Sequence, residues 1–403
     1  MAKSGNTKLH ALPRQSAEEL YELKQKIRIH RIKILLLVFA AVSFVVGLVF
    51  AAYFYFERKI YTSYEIIEQV EREDVLAAQY EEFKGNVLQY TQDGAVYFDM
   101  SGGIIWNQTY EMETPCITKC EDYLAIYEQS GSRIFIMDTQ GQQGVIKATM
   151  PIQRVSIAQQ GTVAVLMEDS GTSYLHMYSR DGSQLAGGGL HIENSGYPLD
   201  IALSNDAQKL AVSMLDINEG QIQSTVVFYN YGTVGQNEID NIVGSYSYED
   251  MIIPSIRFVT NDRLLAFGDT KVIIYEGRQK PVVAQEISCP DHIRSIYYNE
   301  KYFGMTFDHP KSAEGYRTVI YNMRGAQVLE QDIGIDYTEI GLLQNGLLCV
   351  RNEKTVVLYT IRGSKRFEHT FDRNIYDVIA GRGQLEYLFV MSGGTDRIRL
   401  KGE

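Results

Sequence analysis

The chain reads as an all-β protein, a single β-propeller of eight blades (seven being the alternative) preceded by one N-terminal transmembrane helix. Three observations predict this: an uncharged run of 23 residues near the start, a switch at residue 87 from helical to strand-like alternation, and a short strand motif that recurs about every forty residues. A chain of 403 residues admits either two or three domains or one repeat fold with appendages, and the recurrence selects the second.

The apolar run is 34–56, ILLLVFAAVSFVVGLVFAAYFYF. About 20 residues suffice to cross a hydrocarbon core, because a helix rises roughly 1.5 Å per residue. A secretory signal has a shorter apolar run and small residues at its cleavage site, whereas Tyr53, Phe54, Tyr55 and Phe56 stand where that site would be. An aromatic cluster there suits a membrane–water interface.

The flanks set the expected orientation. Arg28, Arg31 and Lys33 precede the run, while only Arg58 and Lys59 follow closely before an acidic stretch. Cationic flanks stay on the cytoplasmic side, so the N-terminus is expected inside the cell and the bulk of the chain outside, as a single-pass protein of the cell membrane. The first 33 residues hold eight basic and three acidic residues, which leaves 30 basic and 47 acidic residues to the rest of the chain. So acidic a domain repels phosphate backbones, which argues against nucleic acid as a partner.

Helical signals extend past both ends of the run. Ser16 and Glu19 form a capping box, and Leu20, Leu23, Ile27 and Ile34 follow at helical spacing. Ile60, Tyr64, Ile67 and Val75 continue an apolar stripe beyond it. The expected layout is a basic, partly helical tail (1–33), the span (34–56), a juxtamembrane helix (57–79) and the propeller (80–403). The stripes suit either self-association of this long helix or contact with lipid.

The repeated strand appears as VYFDMSG (96–102), FIMDTQG (135–141), HMYSRDG (176–182), VFYNYG (227–232), IIYEG (273–277), VIYNMRG (319–325) and VLYTIRG (357–363). Its marker residues are Phe98, Met137, Tyr178, Tyr229, Tyr275, Tyr321 and Tyr359, and RIRLKG (397–402) is a degenerate eighth copy. A period near forty with several short strands per unit is the mark of propeller blades. The stretch around Tyr80–Phe83 is expected to supply a strand that closes the ring, since an open ring exposes two sheet edges. Packing between blades accounts for most of the 28 tyrosines.

A basic tail, one span and a PQQ-like or WD40-like propeller together resemble the bacterial membrane-protein family known as domain of unknown function 5711. GYPLDIALSNDAQKLAVS (196–213) and STVVFYNYGTVG (224–235) carry the resemblance. The first also resembles the "SPDG…LA" blade motif of bacterial propellers, with Asn205 and Ala207 in place of the usual Pro and Gly. The resemblance implies the fold and the location, and no reaction.

Signatures of propeller enzymes are missing from the sequence. Quinoproteins carry repeated tryptophan motifs and often an adjacent cysteine pair; this chain has one tryptophan, Trp106, and no adjacent cysteines. SRDGSQL (179–185) matches a sialidase box only in composition, and no G-x-S-x-G, H-E-x-x-H or P-loop occurs. Cys116 and Cys120 lie four apart, which on a strand places them about 13 Å from each other on one face, too far for a disulfide. Metal ligands favour a closer pair with further Cys or His nearby. These two, Cys289 and Cys349 read as structural thiols, and His176, His191, His292, His309 and His369 share no spacing. No catalytic, cofactor or metal residue is assigned. The candidate binding residues are Tyr197, Pro198 and Asp200, where the fourth blade begins, although Pro–Leu–Asp also fixes a turn into a strand.

The expected function is therefore a membrane-tethered, non-enzymatic interaction scaffold or sensor in the cell envelope, with an envelope or secreted protein as partner and no cofactor. A cell-wall glycan-binding module is the first alternative, and a diverged quinoprotein-type enzyme the second.

Overall fold

The computed structural model describes residues 17–402 apart from 76, 191–195, 219, 290, 310–314 and 384, and the chain divides into two compact units, 1–59 and 60–403. Among its described residues the first holds one helix, α1 (Ala17–Arg58), which contains a stretch long and apolar enough to cross a membrane. No proline interrupts it, and every side chain from Tyr21 to Ala51 is exposed. Ser16 of the expected capping box lies outside the described residues.

The second unit is a propeller of eight four-stranded antiparallel sheets. Blades 1 to 7 are contiguous in sequence, at 79–109, 115–147, 152–190, 197–249, 255–288, 293–333 and 339–370, and in each the four strands pair in chain order. The first strands of neighbouring blades touch between blades 2 and 3, 3 and 4, 4 and 5, 6 and 7, and 8 and 1, which makes the first strands the innermost layer. Blade 8 takes three strands from 375–401 and its fourth, outermost strand from Ser63–Glu71 near the other end of the unit.

That fourth strand corrects two expectations. The helix stops at Arg58, and the segment expected to continue it is extended. The closing strand is Ser63–Glu71, while Gln79–Phe83 is the innermost strand of blade 1. The reason is a partner distant in sequence. Ser63–Glu71 pairs antiparallel with Gly394–Lys401, so that Glu65 meets Arg399 and Lys401 at 3.4 and 2.5 Å and Glu68 meets Arg397 at 3.1 Å. Apolar spacing that suited a helix gives way to cross-strand pairs and a saturated sheet edge.

The repeated sequence motif corresponds to a repeated backbone irregularity. In blades 1 to 7 the pairing of third and fourth strands shifts register immediately before the marker residue: Phe98, Met137, Tyr178, Tyr229, Tyr275, Tyr321 and Tyr359. The next, polar residue then caps the turn. Asp99 Oδ1 accepts N–H bonds from Ser101 and Gly103, Asp138 Oδ1 from Gln140 and Gly141, and Asn322 Oδ1 from Arg324 and Ala326. Gly102, Gly182, Gly325 and Gly363 have φ between +79° and +87°, the left-handed residue that a three-to-four-residue hairpin with a bulge requires.

Among the described residues, eight apolar clusters each bridge two adjacent blades, from Phe83–Leu124 between blades 1 and 2 to Val87–Leu388 between blades 8 and 1. The core is thus a ring of interfaces, with tyrosines prominent in it. Between blades 4 and 5, Tyr275 packs on Phe228 with centroids 4.9 Å apart, and its hydroxyl lies 2.7 Å from that of Tyr248. In the SNDAQK turn of blade 4, Ala207 has φ +56°, so the left-handed turn survives without glycine. Asp206 Oδ1, bonded by Ser204 Oγ and the Gln208 N–H, holds it. Lys209 is buried, its Nζ donating to Arg278 O at 2.8 Å and to Asp262 at 3.1 Å in blade 5.

Candidate functional site

The innermost strands bring charged side chains together on two sides of the central channel. On one side, three consecutive blades contribute Arg154 (strand Ile152–Ile157), Asp200 (Tyr197–Leu203) and Arg257 (Ser255–Thr260). Asp200 is 3% exposed. Its Oδ2 accepts the Ile256 N–H at 2.9 Å and Arg257 Nη1 at 2.9 Å, and its Oδ1 lies 4.0 Å from Arg154 Nε. Burial raises the Asp200 carboxyl above its ordinary value, against the opposing pull of Arg257 and the backbone N–H groups. Burial is the largest single influence on the Arg257 guanidinium and acts to lower it, but Asp200, Tyr298 and Tyr127 together outweigh it and the net direction is up.

The two arginines are anchored at one end and open at the other. Arg257 Nη1 also donates to Ile256 O at 2.8 Å, and Arg154 Nη1 donates to Gln153 O at 2.9 Å. Their side chains are nevertheless 40% (Arg154) and 42% (Arg257) exposed. Tyr127, whose hydroxyl is held up to about 12 by burial and by Cys116 against the pull of Arg154 and Arg257, is buried within electrostatic reach of both arginines. Tyr298, on the innermost strand of blade 6, interacts with Arg257 and packs on Phe267 with centroids 6.3 Å apart. It and Ile296 from the same strand present exposed surface.

On the other side, blades 7, 8 and 1 contribute Glu339, Asp377 and Glu81, which with Arg351 and Lys119 line a cavity of about 180 Å³. Arg351 pairs with Glu339 and donates to Ile375 O, and Lys119 Nζ pairs with Glu81 at 2.6 Å. Asp377 accepts a bond from the neighbouring Val378 N–H. Burial, with Glu339 and Glu81 adding to it against Arg351, pushes its carboxyl up to about 7. A larger cavity of about 700 Å³, lined by Lys84, Lys119, Glu121, Lys301, Tyr302 and Asn345, is shared by blades 1, 2, 6 and 7.

The three residues singled out in the sequence part company here. Asp200 joins the arginine cluster. Pro198 is buried beside the bulge that precedes Asp200, a structural position. Tyr197 is 44% exposed and donates from its hydroxyl to Glu168 Oε2 at 2.6 Å. Arg154, Arg257, Tyr298 and Asp377 went unnoticed, yet a signal for some of them exists. Register shifts fall between Ile152 and Arg154, Pro198 and Asp200, Ile293 and Ser295, and Ile375 and Asp377. I-Q-R, P-L-D, I-R-S and I-Y-D are therefore one repeated position, at which the residue after the bulge is polar.

All four cysteines are free thiols. Burial raises each, to about 12 for Cys120 and Cys349 and about 11 for Cys289, so the nucleophilic thiolate is disfavoured. Among the described residues no group of three His, Cys, Asp or Glu is placed to hold a metal ion. His191 lies outside those residues. His176 Nδ1 lies 3.2 Å from the Tyr178 hydroxyl and His292 Nδ1 3.9 Å from Asp308.

The family of unknown function DUF5711 matches residues 57–400, and the chain belongs to it. No curated protein matches the sequence. Solved structures of similar fold include the C-terminal WD40 domain of Sif2, at TM-score 0.56 and 11% identity over 85% of this chain and 100% of that one. Another is Sqt1 of Chaetomium thermophilum bound to the N-terminus of ribosomal protein L10, at 0.52 and 12% over 84% and 100%. BamB of Moraxella catarrhalis matches at 0.47 and 12% over 84% and 100%.

Proposed function

We propose that this member of the DUF5711 family is a propeller tethered to the cell membrane by α1, with its N-terminus in the cytoplasm, and that it acts outside the cell as a non-enzymatic interaction scaffold or sensor. The observation that carries the reading is the cluster of Arg154, Asp200 and Arg257, two half-exposed cations fixed by a buried aspartate on three adjacent innermost strands. Such fixed donors suit recognition of a partner group. The basic tail and the acidic remainder support the orientation. Sqt1, solved with the N-terminus of another protein bound, is a precedent for a propeller that grips a peptide segment.

Two measurements on the full chain test this. Protease added to intact protoplasts should digest the propeller and spare an N-terminal tag; a protected C-terminal half would overturn the orientation. Reversible cross-linking on intact cells, followed by solubilisation and mass spectrometry, should recover one specific envelope or secreted protein. Recovery of cell-wall glycan instead would favour the carbohydrate alternative, and turnover of an alcohol or aldose by the purified chain with PQQ and calcium would overturn the non-enzymatic reading.

A further inference from the structure

We infer that the Arg154–Asp200–Arg257 cluster is a carboxylate-binding site that takes a carboxylate carried on a peptide segment beside an apolar or aromatic group; this rests on the interaction reading above and names the chemistry its partner presents. Guanidinium groups offer five N–H donors each in a planar fork that matches a carboxylate. Asp200, bonded through Oδ2 to both the Ile256 N–H and Arg257, uses one edge of Arg257, and the backbone carbonyls of Gln153 and Ile256 use one further N–H on each arginine. Both side chains remain partly open to solvent. They are held in place before any ligand arrives, which spares the ligand the cost of ordering two long side chains.

Charge and lining select among anions. Two guanidiniums and one carboxylate leave a single net positive charge, which one further carboxylate balances. A phosphate ester carries about −1.5 to −2 and would be left in excess inside a domain that is already strongly acidic. Ile296 and Tyr298, exposed on the innermost strand of blade 6 with Tyr298 interacting with Arg257, offer the apolar surface that a neighbouring side chain would cover. Removal of Arg154 leaves the closer Arg257–Asp200 pair intact, which makes it the informative position.

The probe is N-acetylphenylalanine, added to the full chain in nanodiscs and followed by ligand-observed NMR. N-acetylphenylalanyl-aspartyl amide serves as the side-chain-carboxylate arm, N-acetylphenylalaninamide as the neutral control and phenyl phosphate as the dianion. Either or both carboxylates should bind, which tells a chain terminus from an acidic side chain. The amide should bind at least about tenfold more weakly, the loss of one charged hydrogen bond. Arg154→Gln should abolish the difference between acid and amide, and Arg154→Lys should keep part of it. Arg257→Lys, which preserves the charge beside Asp200, keeps the test open should a neutral variant at that position fail to fold. Equal binding of acid and amide, an unaffected Arg154→Gln, tighter binding of phenyl phosphate, or no binding of any probe would each overturn the site. If the cross-linked partner were captured equally by wild type and Arg154→Gln, the site would fall while the interaction reading stood; loss of any specific partner in the wild type would remove the reading itself.

Discussion

Asp200 and Asp377 occupy the same place in two blades. Each follows a bulge on an innermost strand, and burial raises each carboxyl. Their surroundings part from there. One oxygen of Asp200 takes a backbone N–H from the next blade and a guanidinium at 2.9 Å. Asp377 takes an N–H from its own neighbour, while the nearby Arg351 pairs with Glu339. The fold supplies a polar position after a bulge at the start of blades 3, 4, 6 and 8, and in blades 4 and 8 the neighbouring blade decides whether it becomes an ion pair or a carboxyl that keeps its proton to about pH 7.

The comparison can be broken most severely at Arg257. Arg257→Ala strands a buried carboxylate, at a cost of roughly 2–4 kcal/mol. That is the low end for a broken buried pair, because Arg257 itself is partly hydrated. A lowered thermal midpoint in the full chain would check it. Next is Asp377→Asn. The wild-type carboxyl is neutral when folded up to about pH 7 but ionises in the unfolded chain at its ordinary value near 3.8. Stability therefore falls as pH rises from about 4 to 7. The variant should melt with the wild type at pH 4 and several degrees above it at pH 8; equal midpoints at pH 8 would contradict the shift. Glu339→Gln removes a charge that helps raise Asp377 and releases Arg351 to it. The decline in stability that starts near pH 4 should accordingly end below about pH 7 and be smaller than in the wild type. The smallest effect is expected at Arg154, whose contact with Asp200 is 4.0 Å and open to solvent. Arg154→Gln should change stability by no more than about 0.5 kcal/mol.

Much of the fold was legible because its signals are local. The marker residues Phe98 to Tyr359 pick out seven blades and the degenerate RIRLKG the eighth, since in the seven a bulge and a polar cap follow one another within a few residues. Ser63–Glu71 was misread because its conformation depends on Gly394–Lys401, over three hundred residues away, and Tyr64, Ile67 and Val75 fit a helical stripe equally well. The site was half legible for the same reason. Asp200 was noticed within a local motif. Arg154 and Arg257 matter only because the ring sets their strands on either side of it, and no spacing along the chain reports that adjacency.

The claim that the channel face of this propeller receives a partner outside the cell is tested most directly by photo-cross-linking in intact cells. The full chain carries p-benzoylphenylalanine in place of Tyr298, beside Arg257, or in place of Leu185 on the exposed outermost strand of blade 3. The account predicts one discrete adduct from position 298, removed by protease added outside the cell, weakened by Arg154→Gln and absent from position 185. An adduct that forms only from position 185, or one that external protease cannot reach, would contradict it.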